Sequence, residues 1–128
     1  MVVKNGPTDD EVDRVFRALA DATRRDIVAR VLRQEQSVSA LAGHYAMSFA
    51  AVQKHVAVLE RAALVSKQRR GREQVVHAEV DTLRRVGRLL DAYEELWRGR
   101  ARRIDGLLAG QTPPGDPGAE QEGSTTCR

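Results

Sequence analysis

Residues 48–78 read SFAAVQKHVAVLERAALVSKQRRGREQVVHA, and a change of period along this stretch decides the fold. In its first part Val52, Val56, Leu59 and Ala63 fall at i, i+4, i+7 and i+11, the repeat of one buried helix stripe. Ser48 stands where an N-cap belongs, so the spacing predicts a helix from residue 48 to about residue 62. The opposite face carries Ala50, Gln53, Lys54 and Ala57, small or polar, with no carboxylate before Glu60. Solvated helices more often mix charges, whereas a bare, slightly basic face suits close approach to a base-pair edge. The period then shortens: residues 64–69 read as a strand and residues 74–78 as its return. Between them Arg70, Gly71, Arg72 and Glu73 form a turn in which Gly71 supplies positive φ. A two-stranded ribbon is not stable alone and must pack on the helices before it.

Upstream, a helix is expected from residue 9 or 10, with acids in its first turn and Val12, Val15, Phe16 and Leu19 at helical spacing. Asp21 is a good N-cap for a second helix over residues 22–33, with Ile27, Val28, Val31 and Leu32 as its buried stripe. Residues 34–36 are a polar break. Ser37 then caps a short third helix containing Val38, Leu41 and Ala42, which Gly43 ends. Downstream, Asp81 or Thr82 caps a long last helix reaching about residue 108. Its apolar residues Leu83, Val86, Leu90, Tyr93, Trp97, Ala101, Ile104 and Leu108 recur at steps of three or four, close to a heptad seam. So long a stripe asks for a partner helix, and the same helix of a second copy is the simplest one.

At 128 residues the chain suits one domain with a core that needs no staples. Residues 9–108 are expected to form it, with residues 1–8 and 109–128 disordered. Aromatic residues are only 4%, which argues against folds that stack single-stranded bases on rings. One cysteine, Cys127, excludes a disulfide framework and a multi-cysteine metal cluster within one chain. The first residues form no apolar signal core and no stretch reaches membrane-crossing length, so a cytoplasmic location and no membrane partner are expected. The formal charge of +3 hides an asymmetry: residues 48–72 hold Lys54, Arg61, Lys67, Arg69, Arg70 and Arg72 against Glu60 alone. Such a patch is either a solvated face or a phosphate-facing surface.

Short helix, turn, second helix with a bare N-terminal face, basic hairpin and dimerising helix together make a winged helix-turn-helix, mainly α with a small β-hairpin. In that fold the second helix enters the major groove of double-stranded DNA by its N-terminal residues. The residues also carry a family resemblance. Leu19-Ala20-Asp21-Ala22-Thr23-Arg24, Leu41-Ala42, Met47-Ser48, Val52, His55-Val56, Leu59, Leu64-Val65 and Arg70-Gly71-Arg72 stand at the order and spacing of the ArsR/SmtB repressors. The resemblance covers about residues 10–105. It implies a homodimer that binds a short inverted repeat near a promoter, often at its own operon. By position it implies Ser48, Phe49, Ala50, Gln53, Lys54 and His55 on the recognition helix and Arg70 and Arg72 on the wing as DNA-binding residues. The expected dimer interface takes Val12 and Phe16 from the first helix and Leu83, Val86, Leu90, Tyr93 and Trp97 from the last.

Some positions depart from the family pattern. Phe49 and Ala50 stand where polar residues are common, so contact with thymine methyls replaces hydrogen bonds there. Ala63 stands in place of a glycine before Leu64-Val65, and His77 in place of an aromatic. The helix before the recognition helix has no cysteine and the last helix has no histidine, so the family's familiar metal sites are absent and neither a metal nor another cofactor is expected. His44, His55 and His77 are not brought together by any motif, and Asp91, Glu94 and Glu95 read as a solvated face rather than a hard-cation site. No residue pattern identifies an effector. No nucleophile set or Gly-rich phosphate loop appears, which argues against an enzyme. The serious alternative is a winged-helix protein–protein interaction module, which has no need of the basic 48–72 stretch. A DNA coater indifferent to sequence is a third reading.

Overall fold

The computed structural model describes residues 6–109; the expectations for residues 1–5 and 110–128, Cys127 among them, lie outside that range. The elements follow in the order α1 (Asp9–Leu19), α2 (Ala22–Arg33), β1 (Gln36–Ser37), α3 (Val38–Ala42), α4 (Phe49–Arg61), β2 (Val65–Arg70), β3 (Glu73–Ala78) and α5 (Val80–Ala109). They divide at Leu90/Asp91 into two compact units.

Four side chains start the helices of the first unit by accepting an N–H three residues on. Thr8 accepts from Glu11 at 3.0 Å, Asp21 from Arg24 at 2.9 Å, Ser37 from Ala40 at 3.0 Å and Ser48 from Ala51 at 3.0 Å. Each cap satisfies an otherwise orphaned donor, a contribution of typically about 1 kcal/mol. Thr8 was expected in a disordered N-terminus; it is instead the N-cap of α1. The core beneath these helices is built from Val15 and Ala18 of α1, Ile27, Val28 and Val31 of α2, Val38 and Leu41 of α3, and Val52, Val56 and Leu59 of α4. Leu64, Val65 and Val76 close it from the sheet, and Val86 closes it from α5. Fully buried side chains such as Ile27, Leu41, Leu59 and Leu64 each stabilise the fold by about 1.5–3 kcal/mol relative to exposure.

Two expectations about apolar stripes need correction. Leu32 is exposed: the buried face of α2 ends at Val31. Val86, expected in the dimer seam, is only 5% accessible within one chain, and Leu83 packs against the same core. Both are occupied by their own protomer because the first turns of α5 are needed to cover it.

The sheet has three strands, not two. Gln36 and Ser37 of β1 pair antiparallel with Val76 and Val75, giving the order β1-β3-β2. A two-residue strand inside a polar break leaves no periodic signal. The β2–β3 hairpin pairs Val65 with Ala78 at its base and Arg70 with Glu73 at its tip. Gly71, at φ 63°, takes the first of the two turn positions.

The passage from α4 to β2 is a Schellman reversal. The Ala63 N–H donates to Glu60 O at 2.9 Å and the Leu64 N–H to Leu59 O at 3.0 Å, while Ala63 sits at φ 59°. This left-handed position is the one the family pattern fills with glycine. A second fixation holds the helix-turn-helix: the Tyr45 hydroxyl donates to Asp26 Oδ2 at 2.6 Å, and Arg30 Nε donates to the same oxygen at 2.8 Å. Burial, with the Asp26 carboxylate beside it, pushes the Tyr45 phenol up to about 12, and the Tyr45 and Arg30 hydrogen bonds hold Asp26 below its ordinary value.

The second unit, in its described part, is the remainder of α5 from Asp91 onward. Glu94 pairs with Arg98 at 2.7 Å and Glu95 with Arg102 at 3.2 Å, and the Arg100 guanidinium lies 5.8 Å from the Trp97 ring. Leu90 at its border and Tyr93, Leu96 and Trp97 within it are all more than half exposed. Among the described residues no helix is long and apolar enough to cross a membrane.

Ala63→Gly removes the Cβ clash of a left-handed residue, about 1–2 kcal/mol, at a smaller entropic cost. It is expected to raise stability by about 0.5–1 kcal/mol in urea unfolding; an unchanged or lower midpoint would mean that the reversal stores no strain.

Candidate nucleic-acid interface

The α3–turn–α4 unit presents the N-terminal end of α4 outward. Ser48, Phe49, Ala50, Gln53 and Lys54 are all exposed there, and the first turn contains no acid. Phe49 is 47% accessible, an apolar ring held in solvent beside the helix N-terminus. Backbone N–H groups and the positive end of the helix dipole lie at this end, and both favour phosphate. The Ser48 hydroxyl accepts from Ala51, which leaves its own O–H free to donate.

His55 is not part of this exposed set. It is half-buried, and its Nδ1 accepts from Arg24 Nη1 at 3.2 Å. Arg24 is itself pinned, with Nε donating to Ala18 O at 2.7 Å and Nη2 to Arg17 O at 3.3 Å. The Asp21 carboxylate lies 4.0 Å from the same imidazole, and the Arg24 backbone N–H holds that carboxyl below its ordinary value. The motif residues Asp21, Arg24 and His55 therefore tie the α1–α2 junction to α4. His55, expected by position among the DNA-binding residues, is thus a half-buried recognition-helix residue hydrogen-bonded to Arg24.

The wing is less uniform than its sequence. Lys67 pairs with Glu60 at 3.6 Å. Arg70 Nη1 donates to Glu35 Oε2 at 2.8 Å, and His77 Nδ1 lies 2.7 Å from Glu35 Oε1. The Arg70 guanidinium, with His77 adding to it, holds the Glu35 carboxyl below the usual range. Among the described residues the buried Nε2 of His77 has no hydrogen-bond partner. Arg70 is thus partly engaged, whereas Arg69 and Arg72 form no ion pair among the described residues and stand exposed at the tip. Glu35 escaped sequence reading because it lies in the polar break, and only the pairing of β1 with β3 brings it beneath the wing. Among the described residues no group of three or more His, Cys, Asp or Glu side chains is placed to hold a metal ion.

A helix-turn-helix with an exposed, acid-free helix end, followed by a ribbon whose Arg69 and Arg72 form no ion pair among the described residues, defines a winged helix-turn-helix of the kind that reads a duplex by groove and backbone. The comparisons agree. The HTH-type transcriptional regulator Rv2034 of Mycobacterium tuberculosis is 36% identical over 81 residues, 63% of this chain and 76% of that protein. The ArsR-like transcriptional regulator from Rhodococcus sp. RHA1 is 33% identical, with a TM-score of 0.66 over 77% of this chain and 92% of that one. A homodimeric winged helix-turn-helix DNA-binding domain from Mycobacterium bovis is 26% identical, with a TM-score of 0.56 over 70% of this chain and 90% of that one. No family model matches the chain. The chain belongs to the ArsR family of winged helix-turn-helix transcriptional regulators.

Arg72→Ala is expected to weaken DNA binding alike for every sequence and to make the plot of log affinity against log salt shallower by about one unit. An unchanged slope would remove Arg72 from the phosphate contacts.

Proposed function

We propose that the protein acts in the cytoplasm as a homodimeric repressor that binds an inverted-repeat operator, with its own upstream DNA as the first candidate. The observation that carries this reading is the exposed, acid-free N-terminal end of α4, together with the exposed Arg69 and Arg72 of the wing, which form no ion pair among the described residues. Ser48, Phe49, Ala50, Gln53 and Lys54 read the major groove: Gln53 hydrogen-bonds a base edge, Phe49 and Ala50 meet thymine methyls, and Lys54 neutralises phosphate. Arg72, with Arg69 and the freer nitrogens of Arg70, contacts the backbone beside the groove.

The apolar residues that one chain leaves uncovered support the dimer. Val12 and Phe16 turn away from the core of α1, and Leu90, Tyr93 and Trp97 are 52%, 57% and 60% accessible. A second copy covers them, as expected for a self-complementary two-fold contact. The homodimeric M. bovis domain lends the same support. In the dimer two recognition helices stand about 34 Å apart, on successive major grooves of one face of the duplex.

Fluorescence anisotropy in about 150 mM salt tests the function, using the DNA upstream of its own gene and a scrambled duplex of equal length. A preference of roughly a thousandfold or more is expected, and Gln53→Ala should reduce binding to the preferred DNA by about 1–3 kcal/mol while leaving the scrambled duplex little affected. Equal affinities would point to a DNA coater or another operator, and absence of binding to a protein-interaction module. Separately, Leu90→Glu is expected to yield monomers in sedimentation velocity. A variant that stays dimeric would place the interface elsewhere.

A further inference from the structure

Arg61 belongs by sequence to the basic 48–72 stretch, but it does not share the exposed end of α4. It is the last residue of that helix, roughly 20 Å along the axis from Ser48 at 1.5 Å per residue. There it borders a cleft of about 400 Å³ together with Arg14 and Arg17 of α1 and Arg24 of α2, with Ala18 and Ala62 between them. The four arginines line one cleft, and the carboxylate nearest Arg24, that of Asp21, is already taken up by the Arg24 backbone N–H. Asp10 and Asp13 precede Arg14 and Arg17 by four residues, a spacing at which helix ion pairs form. Yet among the described residues Arg14, Arg17 and Arg61 form no ion pair with any carboxylate.

The four arginines are unequal. Arg24 is held by two α1 carbonyls and by His55, so its position is set before any ligand arrives. Arg14, Arg17 and Arg61 are exposed and free to close around one. An anion in the cleft is attracted to all of these positive charges at once. Planar guanidinium forks engage phosphoryl oxygens in pairs, with charge-assisted hydrogen bonds that are stronger than neutral ones. Val58, Arg61 and Ala62 set the cleft along the C-terminal half of α4, away from Ser48, Phe49 and Ala50, so a small molecule is a better occupant than a DNA backbone.

We propose that this cleft binds a small phosphate-bearing metabolite carrying at least two negative charges. Because Arg24 contacts both the cleft and His55 of α4, occupancy also alters DNA affinity; this second clause rests on the function proposed above.

Calorimetric titration of the full chain with sodium pyrophosphate, in the absence of DNA, is the test. Saturable binding of one pyrophosphate per chain is expected. Arg14→Ala and Arg61→Ala, both on exposed positions and checked for folding by circular dichroism, should each weaken it about tenfold or more. Arg33→Ala, outside the cleft, should change it less than about twofold. Absence of saturable binding, or an Arg33→Ala loss as large as that of Arg61→Ala, would overturn the site. Tighter binding of citrate than of pyrophosphate would overturn the phosphate assignment. If Arg14→Ala and Arg61→Ala weakened DNA binding for all sequences while pyrophosphate failed to bind, the cleft would belong to the DNA interface instead. The coupling is read separately: pyrophosphate should shift DNA affinity about fivefold or more, and by linkage DNA should shift pyrophosphate affinity equally. Unaltered DNA affinity would overturn the coupling alone. Since pyrophosphate binding is read without DNA, its failure is distinct from failure of the regulator reading.

Discussion

The chain reverses within three residues, Ala62, Ala63 and Leu64, and the geometry of the candidate interface depends on that reversal. Two backbone hydrogen bonds, Ala63 to Glu60 and Leu64 to Leu59, consume carbonyls that the end of α4 would otherwise leave unpaired. They also turn Leu64 and Val65 into the core already occupied by Val52, Val56 and Leu59. The helix end and the wing are therefore built on one continuous buried surface. Such packing resists gradual deformation, since interiors are close-packed and a shift of either element opens a void. A positive φ at a residue with a Cβ is the local cost of this junction.

The helix-turn-helix is held from α2, by contacts that are polar and directional. Tyr45, in the turn between α3 and α4, is fastened to Asp26, while His55, within α4, is fastened to Arg24. Each contact alone is modest, because a net hydrogen bond contributes only about 1 kcal/mol. Together they fix α4 near its start and near its middle, so the helix is constrained in direction as well as in depth.

The legible and illegible parts of this molecule differ in range. Asp21, Ser37 and Ser48 could be assigned as caps because a cap is a contact over three residues and needs no knowledge of the rest of the chain. The stripe of α4 was legible for the same reason, as periodicity is local. Val86 could not be separated from Leu90 by its spacing: both lie on one helix face, and only the packing of α5 on the core decides which is covered. Likewise the hydrogen-bond partner of His55 was not legible, because Arg24 lies thirty-one positions earlier. In the candidate interface, residue types and exposure were readable, but the partners that consume charge were not. Glu35 takes up Arg70 and Glu60 takes up Lys67, so a count of basic residues overstates the charge left for a partner.

The Glu35 bridge has a consequence for how this wing responds to its medium. Strand β1 pairs only with the middle of β3, at Val75 and Val76, so toward the tip β3 has a strand on one side alone. Besides its pairing with β2, the tip is held by the ion pair of Arg70 with Glu35, on a surface open to solvent. Counter-ions screen such contacts as they screen the attraction of arginine for phosphate. Added salt therefore weakens this fastening of the wing. A salt titration of this protein therefore reads the stiffness of its ribbon as well as any contact that the ribbon makes.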